Sequence, residues 1–436
     1  MSPHQTKPVM RPFLAAAGDF ASGKQTPRQF LEDSLALLEQ WEPRIGAFVC
    51  TNLPAARAAA ERSTERWRAG KPVSPIDGMP VGIKDIIETV DMPTEMGSAL
   101  FAGWRSEKDA ACVRALRDAG AVIIGKTVTT EFAYFQPGKT RNPHESQHTP
   151  GGSSSGSAAA VADFMVPVAF GTQTAASVIR PAAFCGVFGY KASFGEFSLS
   201  GIRPLAESMD SLGILARSPA DIALMRGVLL GAAETATLEP LANPPRLGIC
   251  RTAQWPLADP CTRVAVDSAA ENLRRAGALV CDVVLPAHFD TLVDDQKTIM
   301  AYEAARNYVF ETTRFADRLS DAFRALTHEG AKIGRARYRD ALQKTAIAAL
   351  EFETLVGDCD ALITPAALGE APLAATGTGD PVMSRMWTAL RVPALAVPFA
   401  KGPRGLPIGL QLIAARGADR LLLRVGQWAS RVLSAT

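Results

Sequence analysis

Two serine-rich segments and one lysine are the residues of this chain best placed for covalent chemistry. The first is Gly151-Gly152-Ser153-Ser154-Ser155-Gly156-Ser157, which runs on into Ala158-Ala-Ala-Val161. The second is Gly171-Thr-Gln173-Thr174-Ala175-Ala176-Ser177-Val-Ile-Arg180-Pro181, and the lysine is Lys84, within Met79-Pro-Val-Gly-Ile-Lys-Asp-Ile-Ile87. A serine alcohol is a poor nucleophile until a base takes its proton in the transition state. The five histidines, His4, His144, His148, His288 and His328, stand in no Ser-His-Asp context, and there is no G-x-S-x-G elbow. Lysine is the remaining base. A free lysine has a pKa of about 10.4, so a catalytic one must be desolvated among apolar neighbours, as the residues around Lys84 allow. The competing reading of Lys84 is a strand-end cation paired with Asp85 or another acid. A Gly/Ser cluster is ordinarily a turn or linker, and its serines are ordinary helix N-caps. Here it leads directly into Ala-Ala-Ala-Val-Ala-Asp-Phe, the pattern of a buried helix opened by a nest of backbone N–H groups.

The elements that must position these residues alternate. Thr26-Pro27 reads as an N-cap and first helical position for an amphipathic helix through Trp41, and Pro54 to Ala69 as a surface helix, so a helical layer occupies about residues 1–70. Strands are expected at Met79–Ile87, Ala121–Ile124 and Val166–Phe170, with a helix over Asp109–Ala119. After Ser218-Pro219 a helix starts at Ala220, followed by strands at Arg246–Cys250, Ala278–Val284, Ala361–Thr364, Ala394–Val397 and Ile408–Ile413. Residues 290–356 are a helical excursion. This alternation predicts an α/β fold. There is no repeat, low-complexity linker or charge block, so one domain over 1–436 is expected, with a catalytic core at about 71–245 and Pro244-Pro245 as the weakest point.

Composition sets the outer bounds. Lys and Arg number 46 against 44 Asp and Glu, and the cations are scattered, which leaves no electrostatic footprint for nucleic acid. With 47% hydrophobic residues the chain can bury a large core. The seven cysteines form no C-x-x-C pair and read as reduced thiols of a cytoplasmic protein. The opening Met1-Ser-Pro-His-Gln-Thr-Lys has no apolar stretch, and no later run reaches the roughly 18 residues of a membrane span, so neither export nor insertion is expected.

Gly78-Met-Pro-Val-Gly-Ile-Lys84-Asp85, the Gly151–Ala160 run and the Ser177 segment together resemble the amidase signature family. The resemblance extends through Gly125-Lys-Thr-Val-Thr-Thr-Glu-Phe132, Asp210-Ser-Leu-Gly213 and Pro407-Ile-Gly-Leu-Gln411, and so covers nearly the whole chain. The triple serine, the Gln173 segment and Trp387-Thr-Ala-Leu lean toward the compact branch of malonamidase-, allophanate- and urethane-hydrolase-like enzymes. The resemblance implies one large mixed β-sheet covered by helices on both faces. It implies an amidohydrolase acting on a small amide, urea or carbamate through a serine acyl-enzyme. Carried over residue by residue, Ser177 is the nucleophile, Ser153, preceded by a cis peptide bond, is the relay, and Lys84 is the base. The oxyanion hole falls on the backbone of Thr174, Ala175, Ala176 and Ser177, with Ser154, Ser155, Gln173 and Arg180 in support. The family's pair of glycines before the nucleophile is here Ala175-Ala176, which narrows the acyl pocket and puts the oxyanion geometry in question. Arg180 reads as a buried ion-pair partner, with a clamp on a carboxylate-bearing substrate as the other reading. Tyr134, Phe135 and Trp387 are expected in the pocket wall, and each is equally an ordinary core residue.

Gly120-Ala-Val-Ile-Ile-Gly125-Lys126-Thr127 fits the letters of a phosphate loop, but its four middle residues read as the strand rather than as the turn after one, so ATP is not expected. No His/Cys/Asp/Glu set has ligand spacing, and no metal or cofactor is expected. A homodimer is compatible with the sequence. The alternatives to a free-standing hydrolase are the amidase subunit of a glutamine-dependent amidotransferase and an impaired amide-binding pseudoenzyme.

Overall fold

A computed structural model describes residues 12–231 and 237–435. The readings that fall on the first eleven residues, including His4, lie outside the described residues. Eleven strands form one mixed sheet: β1 (Phe48–Thr51), β2 (Pro80–Lys84), β3 (Val122–Thr127), β4 (Val168–Gln173), β5 (Phe188–Lys191), β6 (Ser211–Ala216), β7 (Arg246–Ile249), β8 (Leu279–Asp282), β9 (Ala361–Pro365), β10 (Ala394–Lys401) and β11 (Pro407–Ile413). Their order is β1-β3-β2-β4-β6-β5-β10-β11-β9-β7-β8. The pairs β2/β3, β2/β4, β7/β8 and β7/β9 are parallel and the others antiparallel.

Helices cover both faces. Along β4, Val168 and Phe170 belong to one apolar cluster and Ala169 to the other, and along β6 Ile214 and Leu215 divide in the same way. Successive side chains point to opposite faces of a strand, so a sheet buried on both sides reads as a continuous apolar run. The helix Pro27–Ile45 starts with a capping box, Thr26 and Gln29 exchanging side-chain-to-backbone bonds of 2.9 and 3.2 Å. The expected helical layer thus holds helices Phe13–Ala21, Pro27–Ile45 and Leu53–Arg68, together with the unanticipated strand β1. The excursion contains the helices Leu292–Asn307, Val309–Arg314, Asp321–Lys332 and Arg335–Val356. Phe323 and Tyr308 from it pack on Phe132, with ring centroids 4.9 and 4.7 Å away, which fastens the excursion to the sheet side that carries the site.

Strand β2 ends sooner than expected because the amides of Ile86 and Ile87 turn back onto the Lys84 carbonyl. In the stretch with phosphate-loop letters, Gly125, Lys126 and Thr127 lie in β3 itself, and buried Lys126 pairs with Asp85 at 3.0 Å. Among the described residues no helix is long and apolar enough to cross a membrane.

Candidate active site

Strands β2 and β4 are parallel neighbours, and their C-terminal ends bring the lysine and the second serine segment together. The helix Ser155–Ala162 lies against them. Its small residues let it pack tightly: a Cβ on Gly156 would stand 2.1 Å from the Ala47 carbonyl and 2.3 Å from the Val128 amide. No serine side chain caps this helix. Ser155 Oγ donates to the Val128 carbonyl at 3.3 Å and Ser157 Oγ to that of Phe170 at 2.7 Å, so the run is fixed to the strands β3 and β4 on either side of β2. The Ser154 amide donates to the Ser177 carbonyl at 3.2 Å, and Ser154 Oγ faces the Thr172 backbone, so this serine braces the two segments.

Lys84 is fully buried, and its Nζ lies 2.6 Å from Ser153 Oγ, 2.8 Å from Thr172 Oγ1 and 3.5 Å from the Thr172 carbonyl. The carboxylate considered as its partner is elsewhere, since Asp85 pairs with Lys126. Burial lowers the Lys84 pKa to about 7, the charge of Asp210 acting in the opposite direction. Near neutral pH a large fraction of this amine is therefore free to accept a proton. The Gly152–Ser153 peptide is cis.

Ser153 and Ser177 line one narrow pocket together with Tyr134, Phe135, Arg180 and Arg385. Ala175 and Ala176 also line it, and neither has positive φ, so both sit there without left-handed strain. The Gln173 side chain folds the loop around Ser177. Its Oε1 accepts from the amides of Val178 and Ile179 at 3.0 and 3.1 Å, and its Nε2 donates to Thr388 Oγ1 at 3.1 Å. Thr174 Oγ1 donates to Asp210, a buried acid whose pKa burial raises to about 6.

Two expectations need correction. Trp387 does not reach the pocket: it is buried in the core against Phe352, with centroids 5.8 Å apart, because the phase of helix Val382–Ala389 turns it away from Ser177. Arg180 is buried, but its partners are not acids. It donates to the carbonyls of Gly379 and Gly152 at 2.5 and 2.7 Å and to Thr378 Oγ1 at 3.2 Å, and its Nε has no partner. Burial and the nearby Arg385 lower its pKa to about 9. Arg385, whose Nη1 donates to Gln296 Oε1, is likewise lowered by burial. Neither guanidinium forms an ion pair with a carboxylate among the described residues, which leaves an electropositive pocket.

Sequence reasoning missed Thr172, Asp210, Gln296, Arg385 and Thr388. Thr172, Asp210 and Thr388 lie within or beside motifs already singled out. Nothing local marks Gln296 or Arg385.

The Amidase family model matches residues 29–423. A glutamyl-tRNA(Gln) amidotransferase subunit from Chloroflexus aggregans is 34% identical, over 96% of this chain and 95% of its own length. A crystal structure of an amidase superposes with a TM-score of 0.89 at 31% identity, covering 97% of this chain and all of that one. The peptide amidase of Stenotrophomonas maltophilia superposes with a TM-score of 0.82 at 27% identity, over 98% and 97% of the two chains. The chain belongs to the amidase signature family and is a hydrolase of linear amide-type C–N bonds.

Proposed function

We propose that the chain cleaves a small amide, urea or carbamate through an acyl-enzyme on Ser177, and that the acyl group it accepts carries a carboxylate. The observation that carries the reading is the buried Lys84 amine, 2.6 Å from Ser153 Oγ and without an acid partner among the described residues. Ser177 Oγ attacks the carbonyl as its proton passes to Ser153 Oγ, whose own proton passes to neutral Lys84. The tetrahedral oxyanion accepts from main-chain N–H groups of the 174–177 loop. On collapse the C–N bond breaks and the leaving nitrogen takes the proton back through Ser153. Water then attacks the acyl-enzyme by the same relay, releasing the acid and restoring Ser177. The carboxylate preference is supported by Arg180 and Arg385, two buried cations beside Ser177 that make no ion pair with a carboxylate among the described residues.

The same reading takes residues 1–436 as one catalytic domain, supported by a single sheet with strands on both sides of Pro244-Pro245. A cytoplasmic setting is supported by seven cysteines that form no disulfide among the described residues. The test is a panel of matched pairs, such as succinamic acid against butyramide, with mass spectrometry after a serine-directed phosphonate. The acid-bearing member should be preferred and the adduct should sit on Ser177. Labelling of Ser153 or Ser155 instead, with Ser177→Ala still active, would sink the assignment.

A second reading, the amidase component of an amidotransferase, is favoured by the name of the 34% identical relative. Under that reading the purified chain alone is inert toward the panel, and other subunits co-purify with it.

A further inference from the structure

The oxyanion loop is held from outside by two side chains that sequence motifs do not connect with catalysis. Gln296, from the helix Leu292–Asn307, donates through Nε2 to the Thr174 carbonyl at 2.9 Å. Thr388, from the helix Val382–Ala389, donates through Oγ1 to the Ala175 carbonyl at 2.8 Å. In a trans peptide the C=O of one residue and the N–H of the next point in opposite directions within one plane. Fixing the Thr174 and Ala175 carbonyls outward therefore turns the N–H groups of Ala175 and Ala176 the other way. Both residues line the pocket, and among the described residues neither N–H has a protein acceptor.

The polarity of both tethers is set by their own neighbours. Arg385 has no acceptor atom, so the Gln296 amide must turn Oε1 toward the guanidinium and NH₂ toward the Thr174 carbonyl. The Gln173 NH₂ occupies a Thr388 lone pair, so the hydroxyl proton is directed at the Ala175 carbonyl. We propose that Gln296 and Thr388 are the positioning residues of the oxyanion hole, and that the chain Arg385–Gln296–Thr174 carbonyl ties the cation facing the substrate to the hole's alignment. This rests on the acyl-enzyme reading above.

Hydrolysis of p-nitrophenyl acetate, a small neutral acyl donor that needs neither arginine, tests the proposal. Thr388→Val keeps the side-chain shape and removes the donor, and Gln296→Glu keeps the shape and puts an acceptor against the carbonyl. Each should lower kcat at least about tenfold, with KM changed less than threefold, because a misaimed donor is lost chiefly in the transition state. Thr388→Ser should restore most of the rate. A purely structural role would instead lower the melting temperature without a selective kcat loss or rescue by serine. Ser177→Ala is run alongside. If it is inactive while Thr388→Val and Gln296→Glu turn over within twofold of the natural protein, the tether proposal falls alone. If Ser177→Ala also keeps full activity, the acyl-enzyme reading falls and the proposal with it. Should Thr388→Val not fold, Gln296→Glu carries the same comparison.

Discussion

Replacing Lys84 by methionine should separate the base from the fold and report the charge state of the buried amine. Methionine has similar length and no charge, so the core is kept while the proton acceptor is lost. A free lysine has a pKa near 10.5, and burial lowers Lys84 to about 7. Between these values the unfolded chain binds a proton that the folded chain does not, so unfolding free energy rises with pH across that window. Below about pH 7 both states are protonated, and the full cost of the buried charge is present. Working the two titrations from pH 7 to pH 9.5, wild type should gain about 3 kcal/mol relative to Lys84→Met. Comparing the two proteins removes the contribution of other groups in the same range, among them buried Lys191, whose pKa is also lowered to about 7. The methionine variant loses the bonds to Ser153 and Thr172, which shifts its stability at every pH but not its slope. The assay is urea unfolding of both proteins at the two pH values, with turnover measured in parallel. Turnover should fall by a factor of about 10² to 10⁴, the usual contribution of a positioned base. Parallel stability curves would show that Lys84 stays charged in the fold, and the relay from a neutral amine would have to be abandoned.

Further outcomes are expected. In the natural protein kcat/KM should rise with pH through about 7, and Asp210→Asn should move that limb to lower pH, because removing a nearby negative charge further disfavours the protonated amine; an unmoved limb would show that Asp210 does not act on Lys84. Ala175→Gly/Ala176→Gly should broaden acceptance of bulky acyl groups without a large gain on the best small substrate, since both positions already have φ < 0; rescue of an otherwise inert protein by the glycines would contradict this. Gly156→Ala should destabilise by about 3 kcal/mol or more in urea unfolding, because the added methyl meets backbone atoms of Ala47 and Val128; a neutral effect would mean the helix can shift away from the strands.

That Lys84, Ser153 and Ser177 cluster in one site was legible because each lies in a short contiguous motif at a strand end or tight loop, where residue type and backbone shape are encoded together. The pocket was not legible in the same way. Arg385 and Gln296 come from helices more than a hundred residues past Ser177, Gln296 from the excursion and Arg385 from the helix Val382–Ala389 beyond it, and only tertiary packing brings them there. Trp387 was misplaced for a related reason: the helix phase that buries its ring turns its neighbour Thr388 to the oxyanion loop. Strands β5 and β6 were not anticipated either, and each carries a glycine that close packing requires. Both glycines are needed by the helix Ile179–Cys185 and the residue before it: a Cβ on Gly189 would come within 2.5 Å of Ala182 Cβ, and one on Gly213 within 2.5 Å of Val178 Cγ2.

The two guanidiniums that face Ser177 also bear on what happens after the bond is broken. Amide hydrolysis turns an uncharged carbonyl group into a carboxylate, so under the proposed preference for an acid-bearing amide the monoanionic substrate leaves a dianion in a narrow space lined by Arg180 and Arg385. The product is then the better ligand, and its departure competes with C–N cleavage for control of turnover. Such an enzyme shows inhibition by its own acid product, relieved as salt screens the outgoing charge, and is best suited to a setting in which a following reaction keeps the diacid scarce.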